Sequence, residues 1–201
     1  MNSLTLHAPR YVLGDLLLTR LSRTRGADVL LVTGGAALIG LSAQVAVPVP
    51  GTPVPVTGQT LAVFLCAAAL GPWRGPAAVF TYVLAGLAGV PWFAGGAAGL
   101  TVATFGYLAG MIAAAAVVGA LARYGADRTP WRVVAVMLLG NAVVYAVGVS
   151  WLAAVLNLDA RSAVAAGLTP FLIGDAAKIA IAAGLLPAAW HLCRPSEDAT
   201  H

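Results

Sequence analysis

Charge is what this chain has least of. Only 9% of its 201 residues are Asp, Glu, Lys or Arg, and a single lysine, Lys178, is among them. Soluble domains carry about 25% charged residues, so an ordinary water-solvated domain is excluded. A usual phosphate-binding loop is excluded too, because its lysine must reach the phosphates and Lys178 lies inside an apolar run. His7, His191 and His201 stand near the ends of the chain, leaving none for acid–base work inside a bundle. No CxxC, HExxH or GxSxG occurs, and Cys66 and Cys193 lack metal-ligand spacing and read as structural. No catalytic residue and no metal ligand is assigned. The chain reads as a non-enzyme with no cofactor of its own, and any ATP-driven step falls to another subunit.

What is there is apolar surface. Hydrophobic residues make up 60% of the chain, and the mean hydropathy is +0.90. Apolar runs of about 20 residues recur, the length that crosses a bilayer as a helix. The expectation is an all-α polytopic membrane protein, a bundle of six transmembrane helices, multi-pass in the cell membrane. The spans fall at about 29–47, 58–72, 74–90, 105–123, 131–156 and 170–192. Gly71-Pro72-Trp73-Arg74-Gly75-Pro76 reads as a tight turn between the second and third. Residues 1–28 form an N-terminal segment that does not read as a signal peptide, with an amphipathic stretch at 13–21 suited to a membrane surface. Residues 29–192 form the membrane domain and 193–201 a tail.

Arginine placement orients this bundle. Arg10, Arg20, Arg23, Arg25, Arg74, Arg123, Arg128, Arg132 and Arg194 fall at the termini or in loops two and four, against Arg161 alone elsewhere. Basic residues gather on the cytoplasmic side, so both termini are expected there. The same bias accounts for the pI of 9.5 without nucleic-acid binding. Trp131, Trp151 and Trp190 lie near span ends and read as interfacial anchors.

Asp175 and Lys178 are the ionisable residues lodged well inside a span. Each such charge costs about 2.5–3.5 kcal/mol near the bilayer centre, and a spacing of three puts both on one helical face. The pair reads as the heart of a ligand site in the outer half of the membrane. The bland alternative is an internal ion pair in a membrane scaffold. Asn141 and Tyr145 share a face of span five, while Tyr82 and Gln59 lie in spans three and two. Singly, such groups are more often interhelical bridges; converging on a charged pair, they favour a ligand. Trp92 and Phe93 fit either interfacial anchors or an apolar ligand wall. The proline-rich stretch from Val47 to Gln59 is stiff and extended, fit for a lid or a rigid connector. Ala36 and Gly40 form a small-xxx-small pair that admits another helix, from this chain or from a membrane partner.

Several stretches together resemble one family. Pro53-Val54-Pro55-Val56-Thr57-Gly58-Gln59-Thr60-Leu61, Leu70-Gly71-Pro72-Trp73-Arg74-Gly75 and Tyr82 through Gly96 carry the likeness. Asn141 through Leu152 and Pro170 through Lys178 continue it, over roughly residues 30–190. The pattern is similar to the BioY family, the biotin-binding membrane subunits (S components) of energy-coupling factor (ECF) transporters. The resemblance implies six helices and capture of biotin from outside. It also implies a coupling transmembrane subunit and two ATPase subunits that use the ATP; a homo-oligomer is compatible with it. It places Asp175 and Lys178 on the polar end of the ligand with Gln59 and Asn141 beside them. Tyr82, Trp92, Phe93, Thr104, Tyr107 and Tyr145 complete the expected ligand set. The resemblance turns Ala36 and Gly40 towards the coupling subunit. The chain departs from the family at Val102-Ala103-Thr104-Phe105-Gly106-Tyr107, where Gly-Pro-Thr-Gly-Gly-Tyr is usual, and at Ala97, often polar. The other readings are an S component for another small vitamin, such as thiamine or riboflavin, and the scaffold.

Overall fold

The computed structural model describes residues 11–16, 24–100 and 102–193. Among the described residues the protein is mostly helical, at 78%. Helix α1 spans Arg25–Ala43, α2 Gln59–Leu87, α3 Phe105–Arg123, α4 Pro130–Leu156, α5 Ala160–Gly167 and α6 Leu172–Cys193. Among the described residues, five stretches are long and apolar enough to cross a membrane: Arg25–Ala43, Gln59–Leu87, Val102–Arg123, Pro130–Leu156 and Ala160–Cys193.

Local chemistry sets the boundaries. Thr24 caps α1 by accepting from the Ala27 N–H, and Asp28 sits in its first turn, where the helix dipole favours an acid. That cap starts α1 four residues before the expected span, and the helix ends at Ala43 rather than 47. Pro130 opens α4 at the position where a missing N–H costs nothing, and Asn157, left-handed at φ 51°, closes it. Asp159 caps α5, a short helix on residues read from sequence as loop. Between α1 and α2, strands β1 (Ala46–Val47) and β2 (Val56–Thr57) pair antiparallel and turn the proline-rich stretch into a small hairpin.

Helix α2 is broken at Gly71, whose φ of 85° and ψ of −169° lie where only glycine is comfortable. A Cβ on Gly75 would stand 2.8 Å from the Ala67 Cα. Residues eight apart in a straight helix are separated by about 12 Å, so the chain turns back on itself here. The expected tight turn is a single residue, with Pro72 starting the returning half. Helix α3 packs into this corner through Gly119, where a Cβ would be 2.6 Å from the Gly71 carbonyl oxygen. In lipid, such close backbone approach supplies the packing that the hydrophobic effect supplies in water. The core between α1–α4 is filled by Ile39, Val63, Phe64, Val79, Tyr82, Val118 and Met137.

The end of the bundle near Gly71 carries Arg74, Arg123 and Arg128. Arg74 bridges Asp15 at 2.8 Å and Asp28 at 2.6 Å, tying residues 11–16 to α1 and α2. Arg128 stacks on the rings of Tyr11 and Trp190. The Trp190 indole N–H donates to Asp127 Oδ2 at 2.7 Å, and Trp190 is 4% exposed. It is therefore a buried bridge and not the interfacial anchor expected, whereas Trp131 and Trp151 are exposed. Burial pushes the Asp127 carboxyl above its ordinary range, against the pull of the Trp190 N–H. Of the amphipathic stretch at 13–21, residues 13–16 are helical; 17–21, and the tail from 194 onwards, lie outside the described residues.

Candidate ligand-binding site

A cavity of about 380 Å³ opens at the other end, roughly 18 Å of helix away from Gly71. Small-molecule pockets commonly run from about 300 to 1,000 Å³. Its walls come from the β1–β2 hairpin, the first turn of α2, the returning half of α2, the loop before α3, and α3, α4 and α6. Gln59 and Tyr82 are 23 positions apart in one assigned helix, yet both reach the cavity because of the reversal at Gly71.

One face of α6 points inward, through Asp175, Ala182, Leu186 and Trp190, with Phe171 buried just before the helix begins. Asp175 is thereby buried, its side chain 8% exposed, and Lys178 follows at 15%. The Lys178 ammonium donates to Asp175 Oδ1 at 3.1 Å and to Thr60 Oγ1 at 2.8 Å. The Tyr145 hydroxyl donates to Asp175 Oδ2. Three helices thus hold one acid–amine pair. An ammonium has three N–H groups, and among the described residues two have an acceptor; Lys178 also lines the cavity. Each carboxylate oxygen likewise keeps acceptor capacity after its single partner. The pair can receive one acceptor and one or two donors from a guest.

Asn141, one turn from Tyr145 on α4, lies on the same wall and is 9% exposed. Gln59 is 5% exposed, and its amide nitrogen meets the Met111 sulfur at 3.3 Å, a weak acceptor. Both carboxamides line the cavity. Tyr82, Phe93, Thr104 and Tyr107 line the cavity as well. The Tyr107 hydroxyl is committed to the Gly167 carbonyl at 2.8 Å, so Tyr107 presents its ring. Phe93 packs edge-on to Tyr82, with centroids 5.4 Å apart.

Trp92 alone among the ligand candidates is not on the wall. Its indole N–H donates to the Tyr82 carbonyl at 3.0 Å, and its ring fills the groove over Gly40. Gln44 holds the carbonyls of Trp92 and Phe93, anchoring the loop to α1. That arrangement also locates Ala36 and Gly40. Ala36 is 1% exposed and a Cβ on Gly40 would stand 2.8 Å from the Trp92 ring, so both face the chain's own interior. The small-xxx-small pair serves packing within the chain, and the open side of α1 carries Leu30, Gly34, Ala37, Leu38 and Leu41. Ala97, at the family departure, lines the cavity. Sequence reasoning missed Thr60 and Met111 as site residues. Thr60 follows Gln59 directly, and its signals were adjacency to a candidate and its place in the family-like stretch Pro53 to Leu61.

The BioY family model matches residues 18–195. The biotin transporter BioY of Thermotoga maritima is 41% identical over 153 residues, covering 73% of this chain and 86% of that protein. The biotin transporter BioY2 of Lactococcus lactis subsp. cremoris is 32% identical over 161 residues, covering 79% and 87%. A 2.1 Å crystal structure of the S-component for biotin from an ECF-type ABC transporter superposes with a TM-score of 0.74. At 20% identity, over 85% of this chain and 95% of that one, it shows a shared fold.

Proposed function

The chain belongs to the BioY family, and we propose on that premise that it captures biotin from outside the cell and delivers it inward as a substrate-binding S component. It is a multi-pass protein of the cell membrane. The observation that carries the proposal is one buried acid–amine pair, held from three helices, in an otherwise largely apolar cavity.

Biotin carries a cyclic urea with two N–H donors and one carbonyl oxygen, an apolar thioether ring and a chain ending in carboxylate. The third Lys178 N–H takes the urea oxygen, Asp175 takes an urea N–H, and Asn141 and Gln59 complete the polar edge. These charge-assisted contacts in a water-poor site are stronger than neutral ones. Tyr82, Phe93 and Tyr107 supply the apolar wall, and the β1–β2 hairpin serves as the lid. Trp92 contributes from behind by fixing Tyr82. No bond is made or broken.

The reversal at Gly71 supports six crossings, with 59–70 and 72–87 as a short antiparallel pair. Arginines at the Gly71 end support placing that end, and both termini, in the cytoplasm. The cavity then faces outward. Inward delivery requires energy this chain cannot supply, so we assign it to a coupling subunit and two ATPase subunits. With Ala36 and Gly40 turned inward, a coupling subunit meeting α1 would meet its open side. The test is mass spectrometry of what copurifies with the protein, followed by equilibrium binding of labelled biotin. Retention at submicromolar concentration, not displaced by thiamine or riboflavin, is expected. No retention, or displacement by either vitamin, overturns the assignment.

A further inference from the structure

The acid–amine pair has a way to fail that the structure blocks. Lysine is a point charge on a four-carbon stem with several rotatable bonds. At a spacing of three on one helix, nothing intrinsic to α6 keeps the ammonium from folding down over the carboxylate. A pair closed on itself would offer little to a guest. In this protein the ammonium is shared: it donates to Thr60 Oγ1 at 2.8 Å as well as to Asp175 Oδ1 at 3.1 Å, so the carboxylate does not hold it alone. Thr60 comes from a different helix, 118 positions earlier. It sits in the first turn of α2, where the Thr57 hydroxyl already accepts from the Gln59 N–H and fixes the start of the helix. Threonine has two main χ1 choices in a helix, and the contact with Lys178 occupies one of them.

We propose that Thr60 is a positioning residue for the substrate: by taking one N–H of the Lys178 ammonium while Asp175 takes another, it fixes the ammonium's orientation and keeps the third N–H for the ligand's carbonyl oxygen. This rests on the biotin reading above. Thr60 then sets affinity through Lys178, and the effect belongs to ligands that offer an oxygen at that point.

The experiment is biotin binding to the purified full chain, compared with 2-iminobiotin, whose ring presents C=NH in place of the carbonyl oxygen. Thr60→Val keeps the shape and removes the acceptor. It is expected to weaken biotin by about ten-fold or more, the scale of a hydrogen bond involving a charged group. The preference for biotin over 2-iminobiotin falls with it, and Thr60→Ser restores both. In a Lys178→Met background, Thr60→Val brings no further loss. Wild-type protein that does not bind biotin defeats the functional reading itself. Wild-type binding with unchanged Thr60→Val affinity, or full additivity with Lys178→Met, overturns the role of Thr60 alone. If the valine variant does not fold, Thr60→Ala against Thr60→Ser decides: equal affinity in the two overturns the proposal.

Discussion

Asp175→Asn tests the site with the least disturbance of shape. The carboxylate accepts from Lys178 on one oxygen and from Tyr145 on the other. A carboxamide has one oxygen, so one of these two protein donors must face an NH2 group instead. A ligand N–H meanwhile exchanges a charged acceptor for a neutral one or loses it. Hydrogen bonds to charged groups are worth about 1.5–3 kcal/mol against 0.5–1.5 for neutral pairs. With the Asp175 side chain 8% exposed, solvent screening discounts little of this. Loss of the contact gives about 10- to 150-fold weaker binding at 1.4 kcal/mol per decade. The assay is equilibrium binding of labelled biotin to detergent-purified protein, with monodispersity checked by size exclusion. A monodisperse Asp175→Asn protein with wild-type affinity refutes the reasoning, because no ligand could touch a carboxylate and be indifferent to its charge.

Two further outcomes follow from the opposite end of the bundle. The folded state holds the Asp127 proton more tightly than the unfolded chain does, since burial raises its carboxyl. That contribution is complete below the ordinary value near about 3.9 and is lost as pH rises through the raised folded value. Asp127→Asn keeps an acceptor for Trp190 and removes the slope. Its thermal midpoint should exceed wild type near neutral pH and converge with it in acid; parallel profiles would exclude the effect. Gly71→Ala forces a Cβ into a glycine-only conformation and to 3.2 Å from Val12 Cγ2. A loss of about 1–3 kcal/mol is expected in denaturant titration, and an unchanged midpoint would show that the reversal does not need glycine.

How much was legible depended on whether one residue type or a spatial pairing decided the outcome. Helices α3 and α4 end within a residue of the expected spans, because Arg123 and Pro130 punctuate long apolar runs. Helix α1 was shifted because its start is set by Thr24, a capping hydroxyl inside a polar leader. The reversal could be read from Gly71-Pro72; that one residue suffices could not. Nine of the ten residues put forward for the ligand meet in one cavity, and the exception, Trp92, shows the limit. Its neighbour Phe93 faces the cavity while Trp92 faces Gly40, and a loop has no periodicity to tell the two apart. Small residues at 36 and 40 announce a close contact without saying whose ring fills it. Thr60 carries no periodic signal either, since its importance arises from Lys178, far away in sequence.

The acid–amine pair also argues for function through its energetics. A buried ion pair is weak evidence for stability, because apolar residues of similar volume often replace one at no loss or with a gain of about 1–4 kcal/mol. Within a bilayer the balance leans further against charge. If the pair existed to hold helices together, Asp175→Leu with Lys178→Met would loosen α6 from α2 and α4, since it removes the links to Thr60 and Tyr145. If it exists for a guest, the double variant keeps or raises the thermal midpoint while labelled biotin is no longer retained. A double variant that unfolds earlier yet still retains biotin would reverse the conclusion, making the pair a brace and moving the ligand's polar contacts elsewhere on the wall. Single variants cannot make this distinction, because each strands a charge and so destabilises the protein under either account.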